Sequence, residues 1–99
     1  MIQAGVYSAT LQYLKAVKAT GSKDADAVAK KLKELPVDDA FTSRGHVQAN
    51  GRMVSDLYLF QVKKPSEGKR DWDYYNLLAT VSGDAAYPTA AESGCPLTK

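Results

Sequence analysis

The sequence predicts an α+β fold: an αα-hairpin followed by a small antiparallel sheet. Three observations predict it. Apolar residues recur at helical spacing over residues 3–19, a second helical stretch runs into Leu35 and Pro36, and the period changes around the turn signal of Asn50 and Gly51. With 99 residues the chain suffices for one small domain, here 1–35 as helical hairpin, 44–82 as antiparallel strands and 83–99 as irregular tail.

In the first helix Tyr7, Leu11 and Leu14 form one stripe, with Val6, Thr10, Tyr13 and Val17 beside it. Spacings of i, i+3 and i+4 predict a wide buried face. Gly21 is suited to the left-handed conformation that stops a helix. Ser22 or Asp24 then caps a second helix reaching about Leu35, with Ala25, Val28, Ala29, Leu32 and Leu35 as its apolar face. Asp24 and Asp26 sit at its positive end and Lys30, Lys31 and Lys33 near its negative end, as the helix dipole favours. Pro36 ends it, because a residue before proline is pushed out of helical geometry.

Asn50 and Gly51 signal a hairpin between a short strand at residues 44–48 and a longer one over residues 53–64. In that longer strand Leu57 and Leu59 face one way, and Tyr58, Phe60 and Val62 the other. Both faces are apolar, so both are expected to be covered. "KPSEGKRDWD" is a polar loop, and "YYNLLATV" a third strand antiparallel to the second. The tail is irregular, with one helical turn expected at 89–93.

Composition narrows the function. The chain is 44% hydrophobic and 24% charged, ordinary for a globular protein. A net charge of +2, from 13 Lys and Arg against 11 Asp and Glu, is too balanced to imply a nucleic-acid or membrane partner. No apolar run approaches the ~20 residues of a spanning helix. A basic n-region and apolar h-region are missing at the start, so the chain expressed alone is expected in the cytoplasm. "KKPSEGKR" is basic and Tyr58, Phe60, Trp72, Tyr74 and Tyr75 lie near it, but Glu67, Asp71 and Asp73 interrupt the patch and argue against single-stranded nucleic acid. No enzyme site emerges. His46 is the single histidine, beside a turn, and nothing orients it against Cys95; Asp38 and Asp39 read as a solvated turn. One Cys and one His fall short of a structural metal site, and Gly45, Gly51, Gly68 and Gly83 lack phosphate-binding spacing. No catalytic residue, metal or cofactor is expected. Cys95, the single cysteine, is either a free thiol or half of a disulfide to a partner outside these residues.

Four stretches carry a resemblance: "IQAGVYSATLQYLKAVKATGSKDADAV", "LKELPVDDAFTSRGHVQANGRMVSDLYLFQVKKPSE", "WDYYNLLATV" and "AESGCPL". Together they resemble the C-terminal part of a type I periplasmic solute-binding protein of an ABC transporter, the extracellular ligand-binding receptor of branched-chain amino-acid or aromatic-acid type. The resemblance implies a fragment of a two-lobed α/β fold that closes by a hinge around a small solute and delivers it to a membrane permease, without chemistry. It explains why Met1, Ile2 and Gln3, none a good cap, open the first helix: in the parent that helix follows other chain. It also implies a periplasmic parent, a disulfide from Cys95 to a residue absent here, and a cleft near the start of the first helix. Ile2, Gln3 and Tyr7 are the cleft candidates; Gln3 offers an amide and Tyr7 a ring with a hydroxyl. Trp72, Tyr74 and Tyr75 are assigned to packing. Alone, such a fragment is expected to bind solute weakly and to form a homo-oligomer. The alternative is a free-standing, self-associating interaction module.

Overall fold

The computed structural model describes residues 2–98; Met1 lies outside them. Helix α1 spans Ile2–Thr20 and α2 spans Ala25–Glu34. Gly21 takes a φ of +63° and its N–H bonds the Val17 carbonyl at 3.0 Å, closing α1. Asp24 caps α2 by accepting from the Ala27 N–H at 2.9 Å. The two helices pack together as an αα-hairpin.

The buried side of α1 is not its apolar stripe. Ser8, Gln12 and Ala16 are buried there, whereas Val6, Tyr7, Tyr13 and Leu14 are about half exposed. The reason is the size of the partner. Helix α2 has ten residues and follows a tight turn, so it covers one narrow strip of α1. Gln12 Nε2 donates to the Leu35 carbonyl at 3.1 Å, while its buried Oε1 finds no partner among the described residues, and the Ser8 hydroxyl bonds Asp39 in the loop after α2. On α2, Val28 is buried while Ala25 and Ala29 are exposed.

The expected long strand divides. Strands β1 (His46–Val47) and β2 (Met53–Val54) pair antiparallel, closed by a turn in which Gly51 has a φ of +83°. After Ser55 and Asp56 the chain leaves that sheet. Strand β3 (Leu57–Val62) pairs antiparallel with β4 (Tyr75–Val81) in a second two-stranded sheet, with a bulge after Leu59. A one-turn helix α3 (Gly83–Ala86) follows, and a helical turn links the Ser93 N–H to the Thr89 carbonyl at 3.0 Å.

Helices and β1–β2 make a small body, whose core is Ala16, Val28, Val37 and Val54. The β3–β4 pair projects from it as an arm, giving overall extents of 52 × 31 × 18 Å. Every β3 residue is exposed, so the expected cover on both faces is missing among the described residues. Trp72, Tyr74 and Tyr75, assigned to packing, are likewise exposed, Trp72 at 83%.

The arm is tied at one joint. Asp56 Oδ1 accepts from the Gly83 N–H at 3.1 Å and Oδ2 from Arg44 Nη2 at 2.5 Å. Val54, Ser55 and Gly83 are buried at this crossing.

Candidate ligand-facing surface at the start of the first helix

The first turns of α1 and the loop after α2 meet in an open hollow of about 370 Å³ lined by Gln3, Ala4, Tyr7, Ala40 and Phe41. Helical spacing puts Gln3, Ala4 and Tyr7 on one side of α1. The loop is set by Asp39. Its Oδ1 accepts from the N–H groups of Phe41 at 2.8 Å and Thr42 at 3.1 Å, a local turn that short acidic side chains favour. Its Oδ2 accepts from the Ser8 hydroxyl at 2.6 Å, which fastens the loop to α1 one residue beyond Tyr7. The Ser8 hydroxyl foremost, then the Phe41 and Thr42 N–H groups, hold the Asp39 carboxyl below the usual aspartate range against the opposing effect of burial. Lys15 adds a second tie through the Asp38 carbonyl at 2.7 Å.

Two of the three sequence candidates, Gln3 and Tyr7, therefore share this hollow, and Ile2 stands apart from its lining, 82% exposed. Sequence reasoning missed Ala40 and Phe41. A signal for Phe41 existed: it is the large apolar residue in the otherwise polar run "DDAFTSRG", two places after an aspartate able to bond its N–H. Asp39 also departs from the solvated turn expected of it, since it organises the loop.

Chemically the hollow offers aromatic rings at Tyr7 and Phe41, small residues between them and one amide. It suits an apolar group with a polar end. Among the described residues no three His, Cys, Asp or Glu side chains form a group able to hold a metal. His46 Nε2 lies 3.8 Å from Asp84 at the surface, away from Cys95, which is half-buried in another hollow with Asn50, Gly51, Arg52 and Ser93. Among the described residues no helix is long and apolar enough to cross a membrane.

A family model described as periplasmic binding protein matches residues 1–69. The chain belongs to the periplasmic binding protein family. Among solved structures it is similar to a periplasmic binding protein from Burkholderia mallei, with 46% identity and a TM-score of 0.85 over 94% of this chain and 24% of that one. It is also similar to a branched chain amino acid ABC transporter periplasmic ligand-binding protein from Burkholderia xenovorans, with 49% identity and a TM-score of 0.88 over 98% of this chain and 26% of that one. This member of the family thus spans about a quarter of the length of the solved relatives it matches. No curated protein matches it. The helix-plus-antiparallel-sheet arrangement corresponds to part of a type I periplasmic binding protein fold, as the resemblance implied.

Proposed function

We propose that this chain is the part of an ABC-transporter solute-binding protein in which the start of α1 and the Phe41 loop form one wall of the solute cleft. The solute is a small molecule of the branched-chain amino-acid or aromatic-acid class, captured in the periplasm and handed to a membrane permease. Gln3 and Tyr7 face it, and Ile2 lies at the margin of the wall. The chain acts by binding and not by catalysis, and it uses no cofactor. Cys95 pairs with a cysteine of the remaining receptor. The observation that carries this proposal is the 49% identity, over 98% of the chain, to the Burkholderia xenovorans ligand-binding protein.

A single open wall cannot surround a ligand, and tight small-molecule sites bury most of the ligand surface. The isolated chain is accordingly expected to give no saturable heat in calorimetry against branched-chain and aromatic acids. Grafted in place of the matched quarter of the Burkholderia xenovorans protein, it is expected to support binding, and Tyr7→Ala to weaken that binding about tenfold or more, the order expected for losing a buried aromatic contact. Micromolar saturation by the isolated chain, or a graft indifferent to Tyr7→Ala, would count against this function. Extensive exposed apolar surface favours a second reading for the chain alone, a self-associating module that forms homo-oligomers.

A further inference from the structure

We infer that the loop joining β3 to β4, residues 63–74, forms a binding site for a small multivalent anion, one that carries two or more carboxylate or phosphate groups. The site lies at the end of the arm away from the joint and shares no residue with the hollow beside Tyr7. It stands independently of the proposed solute wall.

The run "KKPSEGKRDWD" places four cations and three carboxylates in eleven residues. A segment so charged is costly to bury in an apolar core and belongs on a surface. The fold then treats the two signs differently. Asp73 Oδ1 accepts from Lys63 Nζ at 2.7 Å, with both side chains mostly buried, and Oδ2 accepts from the Lys69 N–H at 3.2 Å. Glu67 Oε2 accepts from the Lys64 N–H at 2.6 Å across the single turn Pro65–Glu67. Two of the three carboxylates are thus satisfied within the loop. The side chains of Lys64, Lys69 and Arg70 form no ion pair among the described residues.

These three cations, with Pro65, Gly68 and Tyr74, border a hollow of about 570 Å³, within the size range of small-molecule sites. Lys63, Asp71 and Asp73 line it too. Once Lys63 and Asp73 cancel each other, three cations face one carboxylate, Asp71. The whole-chain charge of +2 hides this local surplus. Cations spread around one hollow are best matched by a ligand with more than one anionic group. Arg70 supplies a planar fork suited to a carboxylate or a phosphate, and the lysines act as point charges. Concavity selects a compact ligand, since a flat bilayer would meet the rim and not the floor.

The frame is set before a ligand arrives. The Lys63 N–H donates to the Tyr74 carbonyl at 2.8 Å, and the Asp73 N–H to the Arg70 carbonyl at 3.3 Å. Trp72 holds a φ of +67°, unfavourable for a bulky side chain, and the Tyr74 N–H bonds its carbonyl at 3.0 Å. Such a conformation persists where its surroundings over-determine it, and these bonds with the Lys63–Asp73 pair do so. A loop ordered in advance loses less entropy on binding.

Trp72 is the single tryptophan and reports on this loop alone. The chain, at low micromolar concentration, is titrated with citrate, inorganic pyrophosphate and acetate at an ionic strength held constant with sodium chloride. Citrate and pyrophosphate are expected to change Trp72 fluorescence saturably in the millimolar range, and acetate is not. Added sodium chloride is expected to weaken both multivalent anions. Lys64→Gln and Arg70→Gln, at exposed positions, are each expected to weaken citrate at least about threefold, the scale of one exposed charge pair, with far-ultraviolet circular dichroism unchanged. Lys30→Gln combined with Lys33→Gln, which removes positive charge from α2 instead, is expected to leave citrate affinity unchanged. No saturable response by fluorescence or calorimetry overturns the proposal. So does an acetate response equal to that of citrate, or an equal loss of affinity from the α2 substitutions, which would mark unspecific charge attraction. Phosphatidylglycerol vesicles that shift Trp72 emission and are not displaced by citrate would mark a membrane-facing loop and overturn it as well. A graft that fails to bind solute while citrate still binds this loop counts against the proposed function alone.

Discussion

Gly83 and Asp56 hold the one joint between body and arm. A Cβ on Gly83 would lie 2.6 Å from Val54 Cγ1 and 2.9 Å from the Ser55 carbonyl oxygen. Backbone cannot swing aside as a side-chain tip can, so Gly83→Ala is expected to destabilise the chain by about 1–3 kcal/mol, as overpacking does, measured as a lower urea midpoint. Asp56 is held below the usual aspartate range by the Gly83 N–H first and the Arg44 guanidinium second; Asp73 is lowered by Lys63 first and then the Lys69 N–H. With Asp39 these carboxylates have folded values below the unfolded one near 3.8. Their stabilisation is thus fully present above the unfolded value and is lost as pH falls through the folded ones. Urea midpoints are expected to be level from neutral pH to about 5 and to fall below about 4. In Asp56→Asn the acid-side fall should be shallower, and an equally steep fall would show that the joint does not titrate.

Element by element, polar side chains decided what the apolar pattern could not. The segment "LPVDDAFTSRG" joins the helical hairpin to the first strand pair and carries no apolar periodicity. In the fold it is pinned by Ser8 and Lys15 on α1 and by paired Val37 and Gly45. The freer element is the β3–β4 arm, because an isolated two-stranded hairpin is marginal in water and no other element of the described residues packs extensively on it. Amide hydrogen exchange is expected to be fast in β3 and β4 and slower in α1 and α2. Equal protection of arm and helices in dilute chain would mean that something covers the arm already.

At the scale of the whole molecule, surplus apolar surface governs behaviour in the absence of a receptor body. The isolated chain is expected to self-associate, with its weight-average mass in light scattering rising across the micromolar range. A monodisperse, cooperatively folded monomer at high micromolar concentration is the failing outcome. Sequence alone determined the helix limits to within a residue or two, through Gly21, a cap at Ser22 or Asp24, and Pro36; the antiparallel pairing of "LYLFQV" with "YYNLLATV"; and the resemblance to a periplasmic binding protein, because caps, turns and alternation act over a few neighbouring residues. Tertiary structure decided which face of α1 is buried, where the long strand breaks, and that Phe41 joins Gln3 and Tyr7. Those outcomes depend on how far α2 reaches and on bonds such as that between Ser8 and Asp39, 31 residues apart, which no local spacing records.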